Sequence, residues 1–134
     1  MKILLCTDGS DNALKAAKWL KGMHLARQAQ ITLLGVEEEK SAKAAIPSSF
    51  DKIEAIIGSE QPEIQRITKQ GSFVKLIEVV ARADAFDLVV LGEDKRHHRG
   101  LWLLKSPSPG ERLAKRLEIP LLVARDVPGE MRKV

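Results

Sequence analysis

Short apolar runs alternate along the chain with longer amphipathic stretches. The short runs carry few charges, which is typical of strands that are buried on both faces of a parallel sheet. The longer stretches place apolar residues three and four positions apart, as in helices that pack on a sheet. The predicted strands are residues 3–6, 31–36, 64–68, 86–91 and 119–124. This alternation predicts an α/β sandwich of three layers with a five-stranded parallel sheet in the middle.

Four helices are predicted to connect these strands. Polar residues and glycines mark their ends, because serine and aspartate cap helix starts and glycine stops helices. The segment 41–47 is predicted to be a connector. The first predicted helix covers 13–23 after a cap at Ser10 or Asp11, and the second runs from Ser48 or Ser49 to a stop at Gly58. The third follows Gly71 and Ser72, and the fourth carries Leu113, Ala114 and Leu117.

The composition is that of one globular domain. The chain has 134 residues, of which 44% are hydrophobic and 30% charged. That length suits a single core, so we expect one domain over 1–126 and a polar tail over 127–134. Cys6 is the single cysteine, which excludes an intramolecular disulfide and favours a reducing compartment. With no secretory signal and no apolar run of about 18 residues, we expect a cytoplasmic protein without a membrane contact.

The charge balance argues against a dedicated nucleic-acid binder. The formal net charge is only +4, from 22 Lys and Arg against 18 Asp and Glu. Single-stranded nucleic acid is commonly bound by aromatic side chains beside a basic groove, and this chain has three Phe, two Trp and no Tyr. Nucleic acid is therefore not an expected partner.

Two polar segments follow predicted strands and are candidates for a ligand site, because open parallel sheets bind ligands at the carboxyl ends of their strands. The first is 7–10, after the first strand. Asp8 in it has two interpretations: its carboxylate accepts hydrogen bonds from a ribose or an amine, or it closes the turn with Ser10 and caps the first helix. The second segment is 92–108, after the fourth strand.

The segment 92–108 contains candidate anion contacts. Lys95, Arg96 and Arg99 could meet a phosphate, although charge runs of this kind are also common on solvated surfaces. Ser108 directly precedes the last helix, where backbone N–H groups and the helix dipole favour an anion; as a helix cap it has a second interpretation, which we favour slightly. His97 and His98 have no third ligand nearby in the sequence, so no metal site is expected.

No catalytic motif is present in the sequence. It contains no Gly-x-Ser-x-Gly elbow, no Walker A sequence and no His-Glu-x-x-His. Cys6 falls inside a predicted strand, where a thiol is usually inert. The sequence therefore favours a protein that is not an enzyme.

Taken together, several segments resemble the universal stress protein family over nearly the whole chain. They are, in order, residues 3–10, Gly71 with Ser72, residues 87–92 and residues 119–123. The resemblance implies a Rossmann-like, flavodoxin-like sheet of order 3-2-1-4-5, a homodimer formed through the last strand, and a role in stress survival.

The resemblance also implies a set of nucleotide contacts. Members that bind ATP have a Gly-x-x-Gly-x9-Gly-Ser/Thr loop after the fourth strand, whose glycines let the backbone approach the phosphates. Matched by position, Thr7 and Asp8 correspond to residues near ribose and adenine, Val36 to an adenine-facing residue, and Gly92 to the first loop glycine.

The remainder of this loop departs from the family pattern. Lys95 stands at the second glycine position, and Pro107 with Ser108 replaces the final Gly-Ser pair, although Gly100 could partly substitute. Proline has no N–H to offer a phosphate. We therefore expect a non-enzymatic stress-response or regulatory protein with unknown protein partners, binding at most a small anionic ligand. The alternative is an ATP- or AMP-binding member that uses Thr7, Asp8, Val36, Gly92, Ser108 and the basic loop, with slow hydrolysis at most.

Overall fold

Five strands and four helices alternate along the chain in the computed structural model, which describes residues 1–24, 29–38, 45–58, 64–93 and 108–125. The elements are β1 (Lys2–Thr7), α1 (Asn12–Gly22), β2 (Gln30–Glu37), α2 (Ala45–Ile57), β3 (Ile64–Gln70), α3 (Phe73–Ala83), β4 (Leu88–Gly92), α4 (Pro109–Arg116) and β5 (Leu121–Ala124).

The strands form one parallel sheet of order β3-β2-β1-β4-β5. Ile3 of β1 lies opposite Ile31 of β2 on one side and Leu88 of β4 on the other. The predicted α/β class and the order 3-2-1-4-5 are both confirmed. The order reverses between β1 and β4, so the loops that follow these two strands leave the sheet side by side.

Each face of the sheet packs on its own pair of helices. Ile3 and Leu5 of β1 lie in a core cluster with α1 and α2, whereas Leu4 and Cys6 lie in a second cluster with α3 and α4. This division follows from the two-residue period of a strand, which sends successive side chains to opposite faces. The residues of β1 are buried on both faces, which explains why this strand is an unbroken apolar run.

Several predicted boundaries were wrong, and three of them are informative. Helix α2 begins at Ala45, before Pro47, and not at Ser48 or Ser49; proline is tolerated there because the first turn of a helix needs no N–H donor. Strand β4 begins at Leu88 rather than at residue 86, because a turn with Ala85 at φ 48° precedes it. Strand β5 begins at Leu121, after Pro120.

The two edge strands differ in character. Strand β3 is largely exposed and carries Arg66 and Lys69, while β5 consists of apolar residues.

None of the described helices is long and apolar enough to span a bilayer.

Candidate functional site

A cleft opens at the carboxyl ends of β1 and β4, where the strand order reverses. Its volume is about 240 Å³. Both loops that the sequence singled out contribute to it, together with the first turns of three helices. The described residues that line it are Cys6, Thr7, Asp8, Asn12, Ala13, Glu38, Phe73, Leu91, Gly92, Glu93, Ser108 and Pro109.

The floor of this cleft depends on Gly92, the last residue of β4. A Cβ atom at this position would overlap the backbone carbonyl oxygen of Asn12 in the first turn of α1. The glycine thus allows the end of β4 and the start of α1 to touch. This contact explains why a glycine is needed at position 92 without reference to any ligand.

The turn after β1 is held by its own side chains. Asp8 accepts hydrogen bonds from the backbone N–H and the hydroxyl of Ser10, at 2.9 and 2.6 Å. The hydroxyl of Thr7 accepts from the backbone N–H of Gly9 at 3.0 Å and shares a 2.7 Å hydrogen bond with Ser49 of α2. These contacts match the turn-closing interpretation of Asp8, whose exposed carboxylate also lines the cleft.

The start of α4 is closed by a reciprocal cap. Ser108 is the N-cap residue: its hydroxyl accepts from the backbone N–H of Glu111 at 3.1 Å, and its own backbone N–H donates to the Glu111 carboxylate at 2.8 Å. Pro109 occupies the first helical position and has no N–H. The capping interpretation of Ser108 is thus present in the structure, and the residue is almost fully buried.

A second carboxylate, that of Glu93, reaches the same helix start from the end of β4. Its Oε2 atom accepts from the backbone N–H of Gly110 at 2.5 Å, and its Oε1 atom lies 3.5 Å from the Nη2 atom of Arg125. The Glu93 side chain is only 7% exposed. The buried carboxylate therefore has an N–H donor and a guanidinium as partners, as buried charges require.

The start of α3 has a similar neighbour. Glu38 follows β2, and its carboxylate accepts from the backbone N–H of Phe73, the first residue of α3, at 3.3 Å. Asp8, Glu38 and Glu93 thus give the cleft three carboxylates, and no lysine or arginine is found among its described lining residues. Among the described residues the cleft thus has an acidic lining, with Lys15 and Arg125 in contact with Glu93.

The structure brings together four of the predicted nucleotide contacts, namely Thr7, Asp8, Gly92 and Ser108. Val36 does not line this cleft; it is fully buried in the core cluster beside α3. The predicted contacts Lys95, Arg96, Arg99 and Gly100 lie outside the described residues, as do His97 and His98.

Sequence reasoning missed Glu38 and Glu93. Both directly follow a buried strand, and that is the signal that drew attention to Asp8. The same signal would have found Glu38 had it been applied to β2. It did select the segment after β4, but the basic residues of that segment were chosen there and Glu93 was not.

No metal site or reactive thiol is evident in the part of the chain that the structure describes. It holds no group of three or more His, Cys, Asp or Glu side chains arranged for a metal ion. Cys6 is 1% exposed, and burial raises the pKa of its thiol well above the ordinary value. The inert thiol predicted from the sequence agrees with this environment.

The fold and the cleft define a doubly wound α/β protein with a polar site at its topological switch point. Within this class the chain belongs to the universal stress protein family, whose family model matches residues 1–125. No curated protein matches the chain in sequence.

Three solved structures illustrate the similarity. A universal stress protein in complex with cAMP is 20% identical, with a TM-score of 0.70 over 93% of this chain and 96% of the other. A family member from Arabidopsis thaliana with AMP bound is 16% identical, with a TM-score of 0.66 over 97% and 94%. The universal stress protein from Lactobacillus plantarum is 18% identical, with a TM-score of 0.61 over 93% and 97%. These similarities show the fold.

Proposed function

We propose that this chain is a non-enzymatic universal stress protein that acts in the cytoplasm through protein partners, and that its cleft does not hold the triphosphate of ATP. One observation carries the part of this proposal that concerns ATP: the backbone donors at the start of α4 are engaged by the protein itself. The N–H of Ser108 donates to Glu111, that of Gly110 to Glu93 and that of Glu111 to Ser108.

A triphosphate at this helix would need some of those donors. Helix starts hold phosphates through free backbone N–H groups that point at the ligand, whereas Pro109 has none and its three neighbours are hydrogen-bonded. Asp8, Glu38 and Glu93 add negative charge around the same cleft. Both features disfavour the phosphates of ATP, irrespective of how the adenine would be held.

Titration of the purified chain with ATP at physiological salt, followed by calorimetry, tests this proposal. We expect neither binding heat nor a rise in the melting temperature. Lysozyme at the same concentration provides the blank for dilution heat and nonspecific association. Micromolar affinity for ATP would overturn the proposal.

A second candidate function is binding of an adenine nucleotide with fewer phosphates. It is favoured by the convergence of Thr7, Asp8, Gly92 and Ser108 on one cleft, and by similar proteins whose structures contain cAMP or AMP. AMP and adenosine are the discriminating probes. If AMP binds and adenosine does not, the phosphate is recognised, and replacing Lys95, Arg96 and Arg99 together by alanine should abolish the AMP binding.

We also propose a homodimer formed through β5. Two features support this edge over the opposite one. Strand β5 is apolar with partly exposed Leu121, Leu122 and Val123, whereas β3 carries Arg66 and Lys69, charges that protect a sheet edge from pairing.

A further inference from the structure

We infer that Glu93 is a built-in anion that fills the anion position at the start of α4, and that this residue decides whether the cleft accepts a phosphate. The inference deepens the proposed function and rests on it. It assigns the exclusion of phosphate to one side chain rather than to the general shape of the cleft.

The position that Glu93 fills is one that attracts negative charge. The first N–H groups of a helix lack intrahelical acceptors, and the helix dipole places partial positive charge there. Gly110 is the second helical residue of α4, and its N–H points at Oε2 of Glu93 over 2.5 Å. A carboxylate is thus bound where a phosphate oxygen would be bound in a helix with a free start.

The surroundings of Glu93 are built to hold this carboxylate. A Cβ atom at position 110 would lie 2.9 Å from Cγ2 of Val123 and 3.0 Å from Oε2 of Glu93, so the glycine makes room for both side chains. The guanidinium of Arg125 approaches Oε1 from the end of β5. The Glu93 backbone is fixed as well, because its N–H donates to the carbonyl of Ala124 at 2.9 Å and its carbonyl accepts from the Lys15 ammonium at 3.0 Å.

These same groups would form an anion site if the carboxylate were removed. The N–H of Gly110 and the guanidinium of Arg125 face the two oxygens of one carboxylate, and both are donors that bind phosphate. In the native chain a phosphate would have to displace Glu93 or lie beside it. Two like charges in one desolvated place are unfavourable, so Glu93 excludes the phosphate while it remains in position.

The test compares ATP binding to the native chain, Glu93→Ala and Glu38→Ala by calorimetry, with inorganic phosphate as a second probe. We expect Glu93→Ala to bind ATP at least about tenfold more tightly than the native chain, a difference that calorimetry resolves readily. Glu38→Ala is the matched control, because it removes one negative charge from the same cleft and leaves Gly110 engaged. Adding Arg125→Ala to Glu93→Ala should cancel the gain.

The outcomes separate this inference from the proposed function. Tight ATP binding by the native chain refutes the proposed function directly. If neither the native chain nor a folded Glu93→Ala variant binds ATP, the proposed function is retained and the role of Glu93 is overturned. An equal gain in Glu38→Ala overturns it too, since charge alone would then explain the effect.

A measurement on the native chain covers the case in which Glu93→Ala does not fold. An N–H at the second helical position has no partner within the helix, so it exchanges rapidly with solvent unless another group caps it. We expect the Gly110 amide to be protected from hydrogen exchange, and its NMR signal to stay unchanged when inorganic phosphate is added. Rapid exchange, or a shift on adding phosphate, would overturn the inference.

Discussion

Single residues at the cleft have structural roles at positions where the sequence had suggested contacts with a ligand. Gly92 was predicted as the first glycine of a phosphate loop, yet it also permits contact between β4 and the carbonyl of Asn12. Asp8 was predicted near a ribose, and it binds the N–H and hydroxyl of Ser10. A structural role does not exclude a ligand, but it explains these residues without one.

Replacement of Gly92 tests the steric part of this account. A Cβ atom there would collide with the Asn12 backbone, which cannot move without shifting α1, so Gly92→Ala should lower the free energy of unfolding by about 1–3 kcal/mol. Urea denaturation measures the change. Gly58→Ala is the control, since its added Cβ meets no atom within 4 Å and only its φ of +88° is unfavourable. A Gly92→Ala variant as stable as the native chain would contradict the proposed contact.

The thiol of Cys6 offers a second test of the cleft interior. Because the thiol is buried and its pKa is raised, almost no reactive thiolate is present at pH 8. We expect native Cys6 to react with a disulfide reagent such as dithionitrobenzoate far more slowly than the same chain in urea, as followed by absorbance. Equal rates in the two conditions would show that the cleft exposes the sulfur.

Helix α4 begins with a cap that involves two carboxylates and one hydroxyl. Ser108 and Glu111 satisfy each other's backbone N–H groups, and Glu93 satisfies that of Gly110. The eight-residue helix also carries Lys115 and Arg116 in its last turn, where positive charge complements the dipole. The stability of this helix therefore depends on the acceptors that bind the backbone N–H groups of its first turn.

Removal of the cap measures this dependence. Ser108→Ala should cost about 1 kcal/mol of unfolding free energy, as is typical for a lost N-cap. Since Ser108 and Glu111 act as a pair, Ser108→Ala combined with Glu111→Ala should cost less than the sum of the two single changes. Chemical denaturation of the four proteins completes the cycle. Ser72→Ala is the control on α3; it removes a longer cap hydrogen bond of 3.5 Å and should cost less unfolding free energy than Ser108→Ala. If the costs of Ser108→Ala and Glu111→Ala were strictly additive in the double variant, the reciprocal cap would be refuted.

The elements were predictable from sequence to the extent that local pattern determines them. The five apolar runs located all five strands, and Ser72 and Ser108 marked the helix starts that the structure has. Pro47 misled the prediction of α2, because a proline was taken as the end of a connector when it lies in the first turn of a helix. The strand order came from family resemblance, since periodicity carries no information about which strands are neighbours.

The candidate site was less predictable because its decisive contacts join distant parts of the chain. Glu93 and Gly110 are 17 positions apart, and Gly92 lies against the backbone of Asn12, which is far from it in the sequence. No local pattern reports such contacts. Sequence reasoning located the two loops that meet at the switch point. It could not tell that Glu93, at the beginning of the second loop, lies against the start of the helix that follows this same loop.

The two edges of the sheet set the expected assembly of the molecule. Charges on β3 discourage pairing there, while β5 offers an apolar strand. The carbonyls of Pro120 and Ala124 accept from the N–H groups of Val89 in β4 and of Glu93 directly after it. The alternation of the strand therefore directs the N–H groups of Leu121 and Val123 to the open side. An outward donor is what a second copy of β5 would need in order to extend the sheet.

Light scattering after gel filtration tests this assembly. We expect a mass of twice the 14.8 kDa chain, and a single-chain mass for Val123→Pro, because proline removes an outward N–H without removing a donor to β4. Thr68→Pro on β3 is the control on the opposite edge and should remain dimeric if it folds, which circular dichroism checks for both variants. A native chain that stays monomeric at about 100 μM would exclude an obligate dimer. A folded Val123→Pro that remains dimeric would place the interface somewhere other than β5.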